Sequence, residues 1–397
     1  MVDFALTDEQ RALLGVVRRF VERTVVPAAA SLDRRSDPAD CFSWEIVEEA
    51  SRHLGLRTLT LDPAFVGIGA DSLTTAMMVE ELAVGDLGVA VVFAQTWKIA
   101  QTLQRAGTPD QRERYLPRFR DDPRFLLAIG ITEPDFSSDY IIPYDDPGTG
   151  PHLTAERRGD VWVLNGTKHF ISNGNRAGLH LIFARTDWTK GVREGMTAFL
   201  VPREAPGFSV GHVHDKMGER LVNNAELVFN DCRVPQADLF GTPGGGFDIL
   251  RLFFPASNAY AAASVLGVAR AAYERSVTWA RTRIQGGRPL IEHATVGTML
   301  AEMRMATDAA RAYVWRAAWA ADHQEHWDPT LGALPKVHAA EAAWRVVQLA
   351  MEIHGGHGYM REAGVEKLVR DAAAFLHSDG ANASLKLKAA VAIRAGQ

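Results

Sequence analysis

The run LLAIGIT (residues 126–132) is where this chain changes period. Upstream, apolar residues recur at three- and four-residue steps. Here they stand together, and four further stretches of the same kind follow: DVWVLNG (160–166), LHLIFART (179–186), MTAFLVP (196–202) and AELVFNDCRVP (225–235). Each is short, rich in Val, Ile, Leu and Phe, and set off by Gly, Asn, Asp and Pro clusters, the pattern of strands joined by turns. No helical stretch intervenes, which argues for a compact β domain and against a doubly wound parallel sheet. The Gly-rich GTPGGGF (241–247) fits neither dinucleotide-binding nor P-loop spacing, so it reads as a flexible linker leaving that domain.

Outward from this centre both flanks are helical. Thr7 and Gln10 have capping-box spacing ahead of Leu13, Leu14, Val17, Phe20 and Val21, which predicts one amphipathic helix ended before Pro27. Further helices are expected near 44–53, 73–82 and 89–104, and another starts at Thr108-Pro109-Asp110-Gln111. After the linker the pattern predicts helices near 247–283, 292–325, 332–354 and 365–376, with Pro255 kinking or restarting the first. The expected fold is mainly α with a middle β domain: an all-helical unit over 1–124, the β domain over 125–240 and a helical bundle over 241–397.

Bulk properties narrow the function. The 397 residues are 47% hydrophobic and 23% charged, enough for several sizeable cores. A net charge of -5, with both signs interspersed, offers no basic footprint for nucleic acid or an anionic membrane. Cys41 and Cys232 form neither a disulfide framework nor a CxxC motif, which fits a reducing cytoplasm. The start, MVDFALTDEQ, lacks a basic region before an apolar one, and no apolar run is expected to reach bilayer-spanning length.

Four stretches in order carry a resemblance: GITEPDFSSD (130–139), NGTKHFISNG (165–174), DKMGERLVNNAELVFNDCRVP (215–235) and MEIHGGHGYMREAGVEKLVRD (351–371), with a weaker fifth in RTRIQGGRPL (281–290). In this order and spacing they resemble the acyl-CoA dehydrogenase family. The resemblance implies an N-terminal helical domain, a central β-barrel-like domain and a C-terminal four-helix bundle, with FAD between the last two and across a subunit contact in a dimer or tetramer. It places Ile129, Ile131, Thr132, Ser137 and Ser138 at the flavin turn, Phe170 over one flavin face and Ser172 near N5. It places Arg283 and Gln285, reaching from a neighbouring subunit, with Glu352, Gly355 and Gly356 at the pyrophosphate, and Ala381 and Ala383 also at the cofactor. Read from the residues alone, the hydroxyls of Thr132 and Ser138 suit a flavin's carbonyl edge or a polar surface turn, and Gly355 suits a phosphate or a helix C-cap. His354 and His357 have no partner at ligand spacing that the sequence can show; like His212 and His214 they read as packing or surface residues, and no metal is expected.

The last motif is HSDG (377–380). Locally, Ser378 or Asp379 could cap the next helix; alternatively, a carboxylate beside apolar surface is a base ready to take a proton. The resemblance selects the second, because Asp379 stands where the family most often carries a catalytic Glu, and Ser257 stands at the other position known for that Glu. It implies α-proton removal from an acyl thioester of CoA or an acyl carrier protein, with hydride passing from the β-carbon to flavin N5 and electrons leaving to an electron-transfer flavoprotein. Ser138, Gln95, Asn258, Ser378 and Gly380 are the implied substrate contacts, and Gln95 to Lys98 lie on the helix that lines the acyl pocket in the family. Asp is about 1 Å shorter than Glu, a displacement able to cost on the order of a hundredfold in rate. The shorter acid leaves open a branched or cyclic acyl group, a nitroalkane-oxidase-like carbon acid, or a weakened, assisting subunit. Asn258 in place of Arg, Ser137 and Ala381 in place of Gly and Thr, Gly286 in place of Phe, and Glu352 in place of Gln are further departures. The segment YIIPYDDPGTGPH (140–152) reads as a longer loop near the active-site mouth.

Overall fold

The computed structural model describes residues 5–142 and 144–396, so the first four residues of the N-terminal reading and Pro143 of the 140–152 segment lie outside it. Helix α1 (Asp8–Phe20) starts with the expected capping box between Thr7 and Gln10. It does not end before Pro27. A π turn over Val21–Val25 leads directly into α2 (Val26–Leu32), so the helical backbone passes through Pro27, which cannot donate a backbone N–H to the turn before it. Helices α3 (Trp44–Arg52), α4 (Ser72–Gly85), α5 (Leu87–Ala106) and α6 (Pro109–Asp121) follow, the last opened by a capping box from Thr108 to Gln111.

The β region contains β1 (Leu126–Gly130), β2 (Thr154–Arg158), β3 (Val161–Ser172), β4 (Ala177–Arg185), the short helix α7 (Val192–Gly195), β5 (Met196–Pro202), β6 (Phe208–Val213), β7 (Asn224–Pro235) and β8 (Leu239–Phe240). Their order is β6-β7-β3-β2-β4-β5-β8, with β1 added parallel to β4. Strands β1 and β4 are buried on both faces. Leu127, Ile129, Leu179, Leu181 and Phe183 meet α5, α6 and the first turns of the next long helix, while Ala128, Ile182 and Ala184 join Trp162 and Phe199 on the other side. Double burial is why these strands read as continuous apolar runs and not as alternating ones. Strand β2, TAERR, has one buried residue, so the hydrophobic pattern gave it no signal.

The C-terminal region begins with α8 (Gly246–Thr282), which runs through Pro255 without the expected restart; the proline gives up one helical bond and lines a cleft. The preceding Gly-rich segment is a tied turn and not a loose linker, since the Gly244 N–H donates to Thr197 Oγ1 at 2.8 Å. A two-residue hairpin joins β9 (Ile284–Gln285) to β10 (Arg288–Pro289). Gly286 and Gly287 both have positive φ (61° and 81°), the turn that favours Gly-Gly, which accounts for Gly286 in place of a bulky residue. Then come α9 (Ala294–Asp322), α10 (Leu334–His354), the short α11 (Gly356–Tyr359), α12 (Val365–Ala374) and α13 (Asn382–Arg394).

Helix α8 is the axis of the molecule, packed against α4, α5, α9 and α10. It is also long and apolar enough to cross a bilayer, contrary to the expectation of no such stretch; 83% of its most apolar window is buried inside the protein, where that apolarity forms the core.

Candidate active site

Two open clefts meet at Tyr140 and Asp379. The larger, about 830 Å³, is lined by Gln95, Ile129, Ile131, Thr132, Ser137 and Ser138 from one side. Phe170, Ser172 and the segment from Ser378 to Ala381 complete it. The smaller, about 670 Å³, lies between α8, α13 and the 140–142 turn and includes Phe254, Asn258 and Lys388. Asp379 and Tyr140 line both.

Local backbone explains how the side chains arrive there. Strand β3 slips register against β7 between Lys168 and Ile171, and Phe170 takes φ 59° in that bulge. A bulge re-aims a side chain, and this one leaves the Phe170 ring 59% exposed at the cleft wall. Asp379 has φ 50° and Gly380 φ 93°, and the latter is a conformation that L side chains rarely adopt, so the turn favours glycine at that point. Positive φ is unfavourable for most residues, but Asp adopts it more readily than Glu. Ser137, by contrast, has φ -138° and needs no glycine.

The capping alternative for HSDG is resolved by the next helix. Its N-cap is Ala381, with no side-chain bond, so neither Ser378 nor Asp379 caps it. The Asp379 side chain, 31% exposed, instead lies 3.5 Å from the buried ammonium of Lys98 on α5. Its charge is felt nearby: burial foremost, then Asp379, pushes the Tyr140 phenol up. Lys336, on α10, holds the turn from beneath. Its ammonium donates to Phe375 O (2.7 Å), Gly380 O (2.8 Å) and Asn382 Oδ1 (3.0 Å), and burial lowers it to about 8 against a partial upward pull from Asp379.

Two motif residues that look catalytic serve structure. Glu133 of the TEP turn and Lys168 of the NGTK strand form a buried pair at 2.6 Å, and Glu133 also accepts the N–H groups of His152 and Leu153. Burial brings Lys168 down to about 8 even against the pull of Glu133. Glu133→Gln would leave a buried ammonium uncompensated, so we expect a loss of about 3–5 kcal/mol in urea unfolding. The RD pair ties the parts together: Arg370 reaches Asp33 and the Met217 carbonyl, while Asp371 Oδ1 accepts the Glu219 N–H at 2.7 Å and Oδ2 pairs with Lys367. Trp97 is core, fully buried with its indole N–H on Leu56 O, but Gln95 two residues earlier faces the larger cleft, its Oε1 without a partner among the described residues.

Not every candidate comes to this place. Arg283, Gln285, Glu352, Gly355 and Gly356 are exposed, away from both clefts, and Ala383 is exposed on α13. The first group clusters at one end of the bundle, where Arg283 lies over Trp279 and His354 and His357 pack on the same indole. Sequence reasoning passed over Tyr140, Lys336 and Glu219. Glu219 is a second carboxylate on the larger cleft, pushed up chiefly by burial and in part by Asp379, although Lys216 opposes this. Lys336 stands inside an Ala-rich helix, and an isolated lysine in an apolar face was the only available signal.

Comparison with known proteins identifies relatives along nearly the whole chain. Family models match residues 7–121 (acyl-CoA dehydrogenase, N-terminal domain), 128–232 (middle domain) and 244–393 (C-terminal domain). The chain is 36% identical to the acryloyl-CoA reductase (NADH) of Anaerotignum propionicum, over 94% of this chain and 91% of that protein. It is 34% identical to a cyclohex-1-ene-1-carbonyl-CoA dehydrogenase of Geobacter metallireducens, over 92% and 93%. The solved structure of butyryl-CoA dehydrogenase from Megasphaera elsdenii superposes with a TM-score of 0.92 at 32% identity, covering 99% of this chain and 100% of that one. With all three domain models in order and near-complete coverage at such identity, the chain belongs to the acyl-CoA dehydrogenase family.

Proposed function

We propose that this protein is a flavin-dependent oxidoreductase that introduces an α,β-double bond into an acyl thioester, with Asp379 as the base. The observation that carries the reading is the position of Asp379 at the junction of two clefts, one walled by an exposed aromatic and hydroxyl side chains, the other open past Asn258 and Lys388. The larger cleft fits a flavin: Phe170 offers a face for an aromatic ring, while Thr132, Ser138 and Ser172 supply hydroxyls and Gln95 Oε1 is a buried acceptor without a partner among the described residues. FAD is the form favoured by the exposed cluster of Arg283, Gln285, Glu352, Gly355 and Gly356, which would meet the dinucleotide of a second copy in a homo-oligomer. Bound flavin supplies the hydride acceptor. The chain's own part is to hold the thioester in the smaller cleft, to polarise its carbonyl with the Asp379 N–H and to take the α-proton on the Asp379 carboxylate. An electron-transfer flavoprotein is the proposed electron acceptor, and CoA or an acyl carrier protein the proposed carrier.

The names of the relatives include a cyclic acyl-CoA substrate. That, with the shorter acid, favours a branched or cyclic acyl group over a long straight chain. The test is the visible spectrum of the purified protein during anaerobic titration with straight, branched and cyclic acyl thioesters. The protein should be yellow and bleach with at least one of them; colourless protein, or flavin that no thioester reduces, would overturn the reading. Bleaching by nitroalkanes but not thioesters would transfer the assignment to a nitroalkane-oxidising flavoenzyme.

A further inference from the structure

Strands β3, β7 and β6 lie side by side, and each brings one metal-ligating residue to the same spot. His169 precedes the Phe170 bulge on β3, Glu226 is on β7, and His214 follows β6 with its backbone N–H on Asn224 O at 2.8 Å. One ligand atom from each lies within 4.8 Å of the others. His169 Nδ1 and Glu226 Oε1 are 3.2 Å apart, close to the separation of two ligands on one tetrahedral ion. His214 carries the independent observation: its Nε2 is buried and has no hydrogen-bond partner among the described residues, which for an imidazole nitrogen is a cost unless something occupies it.

We propose that His169, His214 and Glu226 form a binding site for a divalent transition-metal ion of the zinc class. Two imidazoles and one carboxylate are a borderline-soft donor set that suits Zn²⁺ over Mg²⁺ or Ca²⁺, and three protein ligands leave a fourth position for water. The His212 ring lies against His214, with centroids 5.1 Å apart. Lys216 also faces His214, but its ammonium is engaged by Asn224 and Glu219. Glu226 is 34% exposed and His169 20%, which leaves a path for the ion from solvent. The site does not depend on the flavin reading. Its consequence for the cleft is direct, because the Phe170 ring packs on both imidazoles, with centroids 4.0 Å from His169 and 4.6 Å from His214. An ion held there would fix that wall, giving metal control over the larger cleft.

The experiment titrates tag-free, full-length protein with Zn²⁺ by calorimetry and with Co²⁺ by visible absorption. One ion per chain is expected, with a tetrahedral-type Co²⁺ band that Zn²⁺ displaces and a melting temperature that rises with Zn²⁺ concentration. His214→Ala and Glu226→Gln should each weaken binding more than tenfold, whereas His212→Ala should leave it unchanged. Glu226→Gln preserves shape, so it keeps the test valid if a histidine variant misfolds. No binding at hundredfold excess, binding that survives Glu226→Gln, or binding lost in His212→Ala would each overturn the assignment.

Discussion

Replacing Asp379 by Asn should slow reduction of bound flavin by a thioester about 10²–10⁴-fold while leaving the oxidised flavin spectrum in place, because general-base catalysis contributes that much and Asn cannot take a proton. The shape of the turn is retained: Asn adopts positive φ as readily as Asp, and the turn is held by the Lys336 bonds and by Asn382 N–H on Leu376 O (3.1 Å), none of which uses the carboxylate. Stopped-flow reduction under anaerobic conditions is the measurement, and reduction at the parent rate would remove Asp379 from the mechanism. Glu219→Gln is the matched control, since Glu219 is a buried carboxylate on the same cleft, paired with Lys216 at 3.2 Å. It should reduce normally; if instead it fails while Asp379→Asn survives, the base is Glu219. Asp379→Glu should not be an improvement. A backbone built around the shorter acid, at φ 50°, puts a longer carboxylate about 1 Å out of place, so we expect on the order of a hundredfold slower reduction.

The second large effect is expected at Lys336. Substitution by Met removes one buried cation and leaves three acceptors, Phe375 O, Gly380 O and Asn382 Oδ1, without that donor. Each uncompensated buried acceptor costs about 1–3 kcal/mol, so a loss of about 3 kcal/mol or more in urea unfolding is expected, together with loss of thioester reduction as the turn loosens. The pH dependence separates the two roles. Burial lowers Lys336 from 10.5 to about 8, so the folded protein releases this proton before the unfolded chain does. The penalty for burying its charge is therefore fully present below about pH 8 and is relieved as the pH rises toward 10.5; this group alone makes the fold more stable across that window. Activity should move the other way, because a neutral amine has two N–H donors for three acceptors and the turn carrying Asp379 is held less firmly above about pH 8. Lys168 is also brought to about 8 by burial, so Lys336→Arg is the decisive variant: the alkaline fall in reduction rate should disappear with a permanently charged side chain, and its persistence would assign the fall to another group.

How much of this was legible beforehand follows from the range of the interactions. The helix caps at Thr7 and Thr108 and the apolar strands β1, β4 and β5 all depend on residues a few positions apart, and local sequence carries them. The π turn that lets α1 continue past Pro27 and the exposed strand β2 depend on packing elsewhere, and local sequence could not show them. The motifs led to Asp379, Phe170 and Thr132 because their spacing is specific, and these do line one cleft. What spacing could not convey is which distant groups meet them. Lys98 is 281 positions from Asp379, and Lys336 is 44 from Gly380.

The sequence by itself determined the family, the order of helical and β regions, and the candidate base, since periodicity and motif spacing are properties of neighbouring residues. Only the tertiary structure decided that HSDG does not cap a helix, that Asp379 lies between two clefts beside a buried lysine, and that His169, His214 and Glu226 share one corner of the sheet. Those facts rest on contacts between elements far apart in the chain, where burial and strand pairing, and not local propensity, choose the neighbours.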